Sequence, residues 1–338
     1  MSTKGVPTGG SDGGGVIVAQ QLIKDYRRSR QRPGLLGALR GLVSRDVEEH
    51  RALDRLDLRV EPGEFVGLLG RNGAGKTTTI KLCCGLLRPS AGEVRVLGHQ
   101  PWRREFAFLR RIAVVLGNKA MLWWDVSPMD SYLVHRAMYD LDHDDFARRV
   151  AGLAELLDVT TVLDVPVRQL SLGQRMKCEL LAALLHRPEV LFLDEPTIGL
   201  DVVSTAAVRE FLAEVNRRDR TTIVLTSHDM DDVEQLCDRV LLVDDGRLGY
   251  DGTVADLVAR TSPDKELRLT FRHPPQLPAV WPRGTRMVGR EGTSVELRAE
   301  RDAVPALLGA AAGWGELVDL DVGDADLDQV MRDVLAGR

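Results

Sequence analysis

Cysteine is scarce in this chain, and the few cysteines present follow no structural pattern. The sequence contains four, at positions 83, 84, 178 and 237. None has the spacing of a metal site, and the first two are adjacent inside a predicted helix, which argues against a disulfide framework. We therefore predict a protein of a reducing compartment, the cytoplasm.

Long apolar runs are also missing. The longest uncharged run that leans apolar, residues 303–315, has 13 residues, whereas a helix that spans a bilayer needs about 20. The glycine-rich residues 1–14 lack the apolar stretch of a signal peptide and are predicted to be disordered. Any role at a membrane is therefore expected to come through a partner.

An excess of basic residues is absent as well. The net charge is −5, so we expect no nucleic acid as the main partner. Apolar residues make up 44% of the chain, the level of a globular protein. The length of 338 residues indicates one large and one small domain.

One segment stands out from this ordinary composition: Gly-Arg-Asn-Gly-Ala-Gly-Lys-Thr at residues 70–77. It fits the phosphate-binding loop pattern, in which backbone N–H groups converge on a phosphate and a lysine reaches the β- and γ-phosphates. A buried strand is predicted before it and a helix at 77–87 after it, so a helix N-terminus faces the anion. The alternative is a chance glycine turn. The predicted nucleotide-binding residues of this loop are Gly70, Arg71, Asn72, Gly73, Ala74, Gly75, Lys76, Thr77 and Thr78, with Thr77 also offering its hydroxyl to Mg²⁺.

A second motif, Val-Leu-Phe-Leu-Asp-Glu, occupies residues 190–195. Its four apolar residues predict a buried strand, and the two carboxylates follow at the carboxyl end, where open α/β sheets bind ligands. Asp194 is predicted to hold Mg²⁺, and Glu195 to orient or deprotonate an attacking water. Alone, the pair also fits an ordinary acidic turn; beside a phosphate-binding loop it indicates nucleotide hydrolysis.

The order of predicted elements narrows the fold. Strands and helices alternate on both sides of a helical stretch at about 120–185, which predicts an α/β protein with a largely parallel sheet and an inserted helical subdomain. The alternating elements include strands predicted at 53–60, 112–116 and 221–226 and a helix at 230–236. The sheet pattern ends after residue 252, and residues 261–264 are interpreted as a linker. We place the large domain at residues 15–260. Beyond it, strand-like segments and two helices, at 303–312 and 327–335, predict a small α+β domain at 264–338.

Between the two motifs lies Leu-Ser-Leu-Gly-Gln, residues 170–174. Ser171 is a good helix N-cap, and capping plus a glycine turn explains the segment without any ligand. In its place before the acidic pair, however, the segment resembles the signature of ABC transporters, Leu-Ser-Gly-Gly-Gln. Leu172 stands where the family usually has glycine.

Further family motifs follow in order. Residues 199–201, Gly-Leu-Asp, resemble the D-loop, Ser227-His228 resembles the switch histidine, and Tyr26 stands where an aromatic residue stacks on adenine. The resemblance covers roughly residues 16–260. It implies the ABC type of P-loop NTPase, with a mixed, mainly parallel sheet, a β subdomain and an inserted helical subdomain.

The resemblance also implies a mechanism. ABC nucleotide-binding domains work as head-to-tail pairs, with ATP between the P-loop of one and the signature of the other. Ser171, Gly173 and Gln174 are therefore expected to bind ATP in trans, together with Asp201. His228 is expected to contact the γ-phosphate and the attacking water, although a packed structural role is the alternative. ATP and Mg²⁺ are the implied cofactors, and a second copy of the chain the implied partner.

One position departs from the family pattern. The family places a glutamine that senses Mg²⁺ and the partner where this chain has Gly117-Asn118-Lys119. Asn118 carries the same amide on a shorter stem. We therefore expect it to reach the nucleotide and Mg²⁺ through a backbone shift or a water molecule.

Two adjacent tryptophans, Trp123 and Trp124, follow this position. In the family this region faces the cytoplasmic helices of the membrane subunit, and exposed aromatic residues are typical partner anchors. The alternative is packing beneath the helical subdomain; we expect one residue buried and one exposed. The basic segment 27–45 also has two interpretations, a membrane-surface stretch or a solvated insertion between strands.

The whole chain resembles the ATP-binding subunit of an ABC-2-type exporter, close to those of drug, antibiotic or viologen efflux. The segments at 123–125 and 172–176 and the order of elements in the C-terminal domain carry this resemblance. It implies ATP hydrolysis that drives separately encoded ABC-2-type permease subunits. The competing hypotheses are a soluble ABC ATPase outside transport and a nucleotide-gated subunit with little turnover.

Overall fold

The computed structural model of the chain describes residues 15–29, 47–117, 120–227, 230–261, 264–278 and 280–324. These residues divide into two compact units, one ending at Asp251 and one beginning at Gly252. Residues 1–14, most of the basic segment 27–45 and the predicted helix at 327–335 lie outside the described residues.

The described residues form thirteen strands and nine helices. The strands are β1 (Ile17–Ser29), β2 (Val47–Val60), β3 (Phe65–Leu69), β4 (Ala91–Val96), β5 (Ile112–Leu116), β6 (Val190–Asp194), β7 (Thr222–Thr226), β8 (Arg239–Asp244), β9 (Arg247–Gly252), β10 (Asp264–Phe271), β11 (Thr285–Glu291), β12 (Ser294–Glu300) and β13 (Leu317–Asp324). The helices are α1 (Lys76–Cys83), α2 (Phe106–Leu109), α3 (Pro128–Tyr139), α4 (His143–Leu156), α5 (Leu172–Leu184), α6 (Val202–Asp219), α7 (Met230–Leu236), α8 (Val254–Thr261) and α9 (Val304–Ala311).

A six-stranded sheet with the order β5-β6-β7-β3-β8-β9 forms the centre of the first unit. Its first five strands pair in parallel, as the alternation of strands and helices predicts. All residues of β3 and β7 and all but the last of β6 are buried, because both faces of a parallel sheet are covered. The carboxyl ends of β3, β6 and β7 therefore lie at one edge, which is where the sequence motifs follow.

A three-stranded antiparallel sheet, β2-β1-β4, stands beside the parallel sheet and is the β subdomain that the resemblance implies. Leu22, Leu53 and Val94 from its strands share one core with Ile80 of α1 and Val66 of β3. This packing holds β1 and β2 against the helix that follows the glycine-rich loop. β2 begins at Val47, earlier than the strand predicted at 53–60.

Between β5 and β6 the chain is helical, with side-chain caps at the helix starts. Ser127 and Asp130 form a capping box at α3, and Asp142 accepts two backbone N–H groups at α4. Such caps satisfy N–H groups that have no partner within the helix. In the part of the chain that the structure describes, no helix combines the length and apolarity needed to cross a membrane.

Helix α1 is shorter than the helix predicted at 77–87. It ends at Cys83, because the Leu87 N–H bonds back to the Lys81 oxygen at 2.9 Å and closes the end around Gly85, where φ is +78°. The Gly85 N–H also lies 3.3 Å from the Leu82 oxygen, and a glycine with positive φ just past the last turn is a usual helix stop. Gly85 is therefore the residue from which the end of α1 could have been predicted.

The second unit contains a four-stranded antiparallel sheet, β11-β12-β10-β13, with α9 packed on one face. Alternate residues of the two central strands, including Leu267, Leu269 and Leu297, point into a core with Leu307 of α9. The rings of Trp281 and Trp314 meet edge to face 5.3 Å apart. Helix α8 was not predicted, since the sequence beyond residue 252 was interpreted as leading into a linker.

All four cysteines are buried. Burial raises the pKa of Cys84 and of Cys178 to about 11, and it raises the pKa of Cys83 and Cys237 further. The thiols are therefore protonated at neutral pH.

We predict that Leu297→Ala destabilises the second unit by about 2–5 kcal/mol, because Leu297 is buried at the centre of its core and truncation leaves a cavity. Val288→Ala is the matched control, since Val288 is 55% exposed. Amide hydrogen exchange of β10 and β12 is the measurement. Equal protection in the two variants would contradict this description of the core.

Candidate functional site

The glycine-rich loop leaves β3 at Leu69 and enters α1 at Lys76. At Gly70, φ is +146°, and a Cβ there would lie 2.1 Å from the Val243 oxygen, so no larger residue fits. The Lys76 ammonium, almost fully buried, donates to the Gly70 and Arg71 carbonyl oxygens. Its burial lowers the pKa of Lys76, while the nearby Glu195 and Asp194 carboxylates act to raise it.

The Asp194 carboxylate joins this loop to the sheet. The Thr77 hydroxyl donates to it, with 3.0 Å to Oδ1 and 3.1 Å to Oδ2, and the Thr226 hydroxyl donates to Oδ1 at 2.7 Å. Thus α1, β6 and β7 meet at one carboxylate. Among the described residues, no group of three or more histidine, cysteine or acidic side chains converges as a metal cluster would.

Glu195 follows in an unusual backbone conformation. Its φ is +54°, the left-handed region that a non-glycine residue adopts only when its surroundings impose it. Here the Glu195 N–H donates to the Thr226 carbonyl at 3.0 Å and lies 3.2 Å from its hydroxyl oxygen. The turn directs the Glu195 side chain to the cavity beside the glycine-rich loop.

That cavity has a volume of about 510 Å³. Seven of the nine predicted loop residues line it together with Tyr26 and Glu195, whereas Gly70 and Ala74 do not, and three residues that were not predicted join them. It is lined by Tyr26, His50, Ala52, Arg71, Asn72, Gly73, Gly75, Lys76, Thr77, Thr78, Lys81 and Glu195.

Tyr26 forms one wall. Its hydroxyl lies 3.4 Å from the Thr78 hydroxyl, and the Lys24 ammonium lies 5.4 Å from the centre of its ring. His50 is its register partner across the β1–β2 ladder. Sequence reasoning missed His50 because this register depends on β2 beginning at Val47.

The signature segment lies elsewhere in the chain. Ser171 and Gln174 form a capping box at the start of α5: the Gln174 N–H donates to the Ser171 hydroxyl oxygen at 3.2 Å, and the Ser171 N–H donates to the Gln174 side-chain oxygen at 3.0 Å. The capping interpretation of Ser171 is therefore correct. A hydroxyl that accepts still carries a proton to donate, so capping leaves the ligand-binding hypothesis open.

Gly173 contacts the start of α6. A Cβ on Gly173 would lie 2.3 Å from the Ser204 hydroxyl oxygen, so only glycine permits this approach. Asp201 caps α6, accepting from the Ser204 N–H and hydroxyl, both at 2.8 Å. These bonds lower the pKa of Asp201. The structure thus places the signature beside the D-loop, and none of Ser171, Gly173, Gln174 and Asp201 lines the described cavity.

A buried polar network lies where β7 ends. Asp232, fully buried on α7, accepts from the Ser227 hydroxyl at 2.8 Å, the Thr197 hydroxyl at 2.5 Å and Arg209 Nε at 2.6 Å. It fixes the residue just before His228. His228 itself and Asn118 lie outside the described residues.

Besides His50, two further polar residues near the site were missed. Thr226 holds Asp194, and its signal was a polar residue at the carboxyl end of a predicted strand. Lys81 lies one helical turn beyond Thr77 and lines the cavity. A lysine at this spacing after the phosphate-binding loop could have been predicted to face the same cavity.

The expectation that one of the two adjacent tryptophans is buried and the other exposed is wrong. Trp123 is 56% exposed and Trp124 54% exposed, while the neighbouring Leu122 is buried. Leu122 supplies the apolar anchor of the segment, and both rings remain at the surface.

The chain has similar sequences among known proteins. The family model described as ABC transporter matches residues 53–198. The chain is 32% identical over 207 residues to the ABC transporter ATP-binding protein NatA of Bacillus subtilis, covering 61% of this chain and 84% of NatA. It is 38% identical over 232 residues to the daunorubicin resistance ATP-binding protein DrrA3 of Streptomyces coeruleorubidus, covering 69% and 72%.

The fold has counterparts among solved structures. One, described as the ATP binding subunit of an ABC transporter, superposes with a TM-score of 0.60 at 24% identity, covering 72% of this chain and 92% of the other. This likeness shows the fold. The family model and the match to NatA, 84% of which is covered, show that the chain belongs to the ABC transporter family and is an ATP-binding subunit with ATPase activity coupled to transport.

Proposed function

We propose that the chain binds MgATP in the cavity around the glycine-rich loop and hydrolyses it there. The observation that carries this proposal is the hydrogen-bonded contact of Thr77 with Asp194, which brings the phosphate loop against the carboxyl end of β6. The cavity of about 510 Å³ beside that contact is lined by Lys76 and Glu195, so cation and carboxylate face the same space.

Each side chain then has a role that its position supports. Lys76 would neutralise the β- and γ-phosphate oxygens. The Thr77 hydroxyl and the Asp194 carboxylate would hold Mg²⁺, with Asn118 as a further candidate ligand. A hard cation bound by one or two side chains and the phosphates suits this donor set, and it would offset developing phosphate charge.

Glu195 would orient or deprotonate the attacking water, with His228 beside the γ-phosphate. The imposed left-handed conformation at Glu195 favours a fixed side-chain direction, which general-base geometry requires. Tyr26 would carry the adenine ring on its face.

We further propose a head-to-tail homodimer. ABC ATPases act as dimers, and in this chain the signature residues lie outside the cavity that holds the phosphate loop. Ser171 is exposed at the N-terminus of α5, whereas Gly173 is buried in the single chain. This helix start would receive the γ-phosphate of ATP bound to a second copy, with the Ser171 hydroxyl and the Gly173 N–H as donors. Asp201 lies beside this helix start, because it accepts hydrogen bonds from Ser204, which contacts Gly173.

The transport partner we propose is an ABC-2-type permease, and the process is export. Two exposed tryptophans in the region that faces the membrane subunit in this family supply apolar anchors. The resistance named for the DrrA3 relative points to a toxic small molecule as cargo. The chain would then be cytoplasmic and peripheral at the inner face of the membrane, with residues 15–260 as the nucleotide-binding domain and 264–338 as an accessory α+β domain.

Glu195→Gln should keep MgATP binding and lower turnover about a hundredfold or more, because the water loses its orienting carboxylate. Phosphate release and nucleotide affinity, measured on the same preparation, check this. Glu210→Gln, on the exposed face of α6, is the control and should be unchanged. Near-normal turnover of Glu195→Gln would remove Glu195 from the catalytic role.

Lys76→Ala should weaken MgATP binding sharply, because the phosphates lose a buried cation. Tyr26→Ala should weaken binding by about 1–2 kcal/mol, since stacking and apolar contact are lost, whereas Tyr26→Phe should bind almost as the parent does. Calorimetric titration with MgATP is the measurement, and Lys265→Ala in the second unit is the control. Unchanged affinity of Tyr26→Ala would show that another residue carries the base.

Ser171→Arg should leave ATP binding by the monomer intact and abolish ATP-dependent dimerisation, because the cation would fill the γ-phosphate seat of the opposing copy. Size-exclusion chromatography with MgATP separates the two states, and Ser171→Thr, which keeps cap and hydroxyl, is the control. Mixing Ser171→Arg with Lys76→Ala chains should restore part of the ATPase activity through one repaired composite site. Loss of ATP binding by monomeric Ser171→Arg would place the signature in a cis site instead.

A further inference from the structure

Glu179 is a buried carboxylate in the middle of α5 that the hydrolysis mechanism does not use. It is 3% exposed and accepts from the Met121 N–H at 2.7 Å, with the Leu122 N–H at 3.4 Å from its other oxygen. Burial raises the pKa of Glu179, and these two N–H groups and the nearby Arg175 act to lower it. A buried acid is costly unless its partners satisfy it, so this contact is specific.

The two N–H groups belong to a surface segment, residues 121–126, which we term the Trp ledge because it presents Trp123 and Trp124 to solvent. Its far end is held as well. The Arg168 N–H donates to the Trp124 oxygen and the Val167 N–H to the Val126 oxygen, both at 3.0 Å. The Arg168 guanidinium also pairs with Asp125 at 2.7 Å.

The two attachments lie on either side of the signature segment, residues 170–174. Residues 167 and 168 lie just before it, and Glu179 lies after it on α5, the helix that Ser171 caps. Eight residues separate Ser171 from Glu179, a rise of about 12 Å along an α-helix. The start of α5 is therefore connected to the ledge in two ways, along the helix to Glu179 and through residues 167 and 168, which precede the helix.

Tyr132 adds a third connection beside the ledge. Its hydroxyl, fully buried on α3, donates to the Cys178 carbonyl at 2.9 Å, one residue before Glu179. The Trp123 N–H in turn lies 3.4 Å from the Ser131 hydroxyl oxygen. The middle of α5 thus holds both the ledge and the helix that follows it.

We propose that Glu179 is a positioning residue that locks the Trp ledge to the signature helix, so that the ATP seat and the permease-facing tryptophans move as one body. The proposal rests on the proposed function in one respect, that the start of α5 meets ATP across the dimer. Glu179 touches neither nucleotide nor permease, and its effect passes through the backbone of residues 121 and 122.

The first test needs no nucleotide. Amide hydrogen exchange of the ledge is measured in the full-length chain and in Glu179→Gln, which keeps the volume and one acceptor, and Glu179→Met, which keeps the volume and no acceptor. Exchange at residues 121 and 122 should quicken slightly in the first variant and on the order of tenfold in the second, because buried N–H groups lose their acceptor. Glu155→Gln, exposed on α4, is the control. Parental exchange in Glu179→Met, with α5 still protected, would overturn the anchor.

The second test asks whether the anchor transmits. In a Glu195→Gln background, MgATP should slow exchange of the ledge by several fold on dimerisation. Addition of Glu179→Met should abolish that response while MgATP affinity and dimerisation persist, and Glu179→Gln should restore part of it. A purely structural role would lower stability without separating these readouts.

The outcomes distinguish the two proposals. If Glu195→Gln neither binds MgATP nor dimerises, the proposed function fails. The hydrogen-exchange test without nucleotide still shows whether Glu179 holds residues 121 and 122. If the dimer forms and the ledge does not respond, or responds equally in Glu179→Met, transmission through Glu179 is wrong.

Discussion

The Asp194 carboxylate is the interaction on which the site depends. It accepts hydrogen bonds from the hydroxyl groups of Thr77, at the start of α1, and Thr226, at the end of β7. The loop, the strand that carries the acids and the neighbouring strand are therefore fixed to one another. The parallel sheet makes this possible, because buried strands of equal direction bring their carboxyl ends to a common edge. The left-handed Glu195 is a consequence, since its N–H is held by Thr226.

The elements that carry the chemistry were predictable because their signals are local. The octet at 70–77 and the strand that ends in two acids need no knowledge of neighbours, and β5 and α7 were predicted with the bounds observed. Contacts between elements were not predictable in the same way. That β7 lies beside β6, and so brings Thr226 to Asp194, is a matter of strand order, and the pairing of Tyr26 with His50 is a matter of register.

The wrong expectation for the tryptophans has the same origin. An apolar, aromatic pair after a strand fits a buried or an exposed position equally well, and the outcome is decided by partners distant in sequence. Leu122 enters the core, Glu179 takes the backbone N–H groups, and Arg168 holds Asp125. These contacts fix the backbone on both sides of the pair, and both tryptophan rings lie at the surface. Helix α8 was missed because a helix of eight residues gives a weak periodic signal. The early end of α1 was missed although Gly85 marks it.

The burial of the cysteines has a practical consequence. A thiol reacts as the thiolate, and burial keeps the pKa of Cys84 and Cys178 near 11 and that of Cys83 and Cys237 still higher. We therefore expect the native cysteines of the folded chain to react little with maleimide reagents. Two cysteines introduced at exposed positions would accept a pair of spin labels or fluorophores without removal of the native cysteines, so the distance between those two positions becomes measurable.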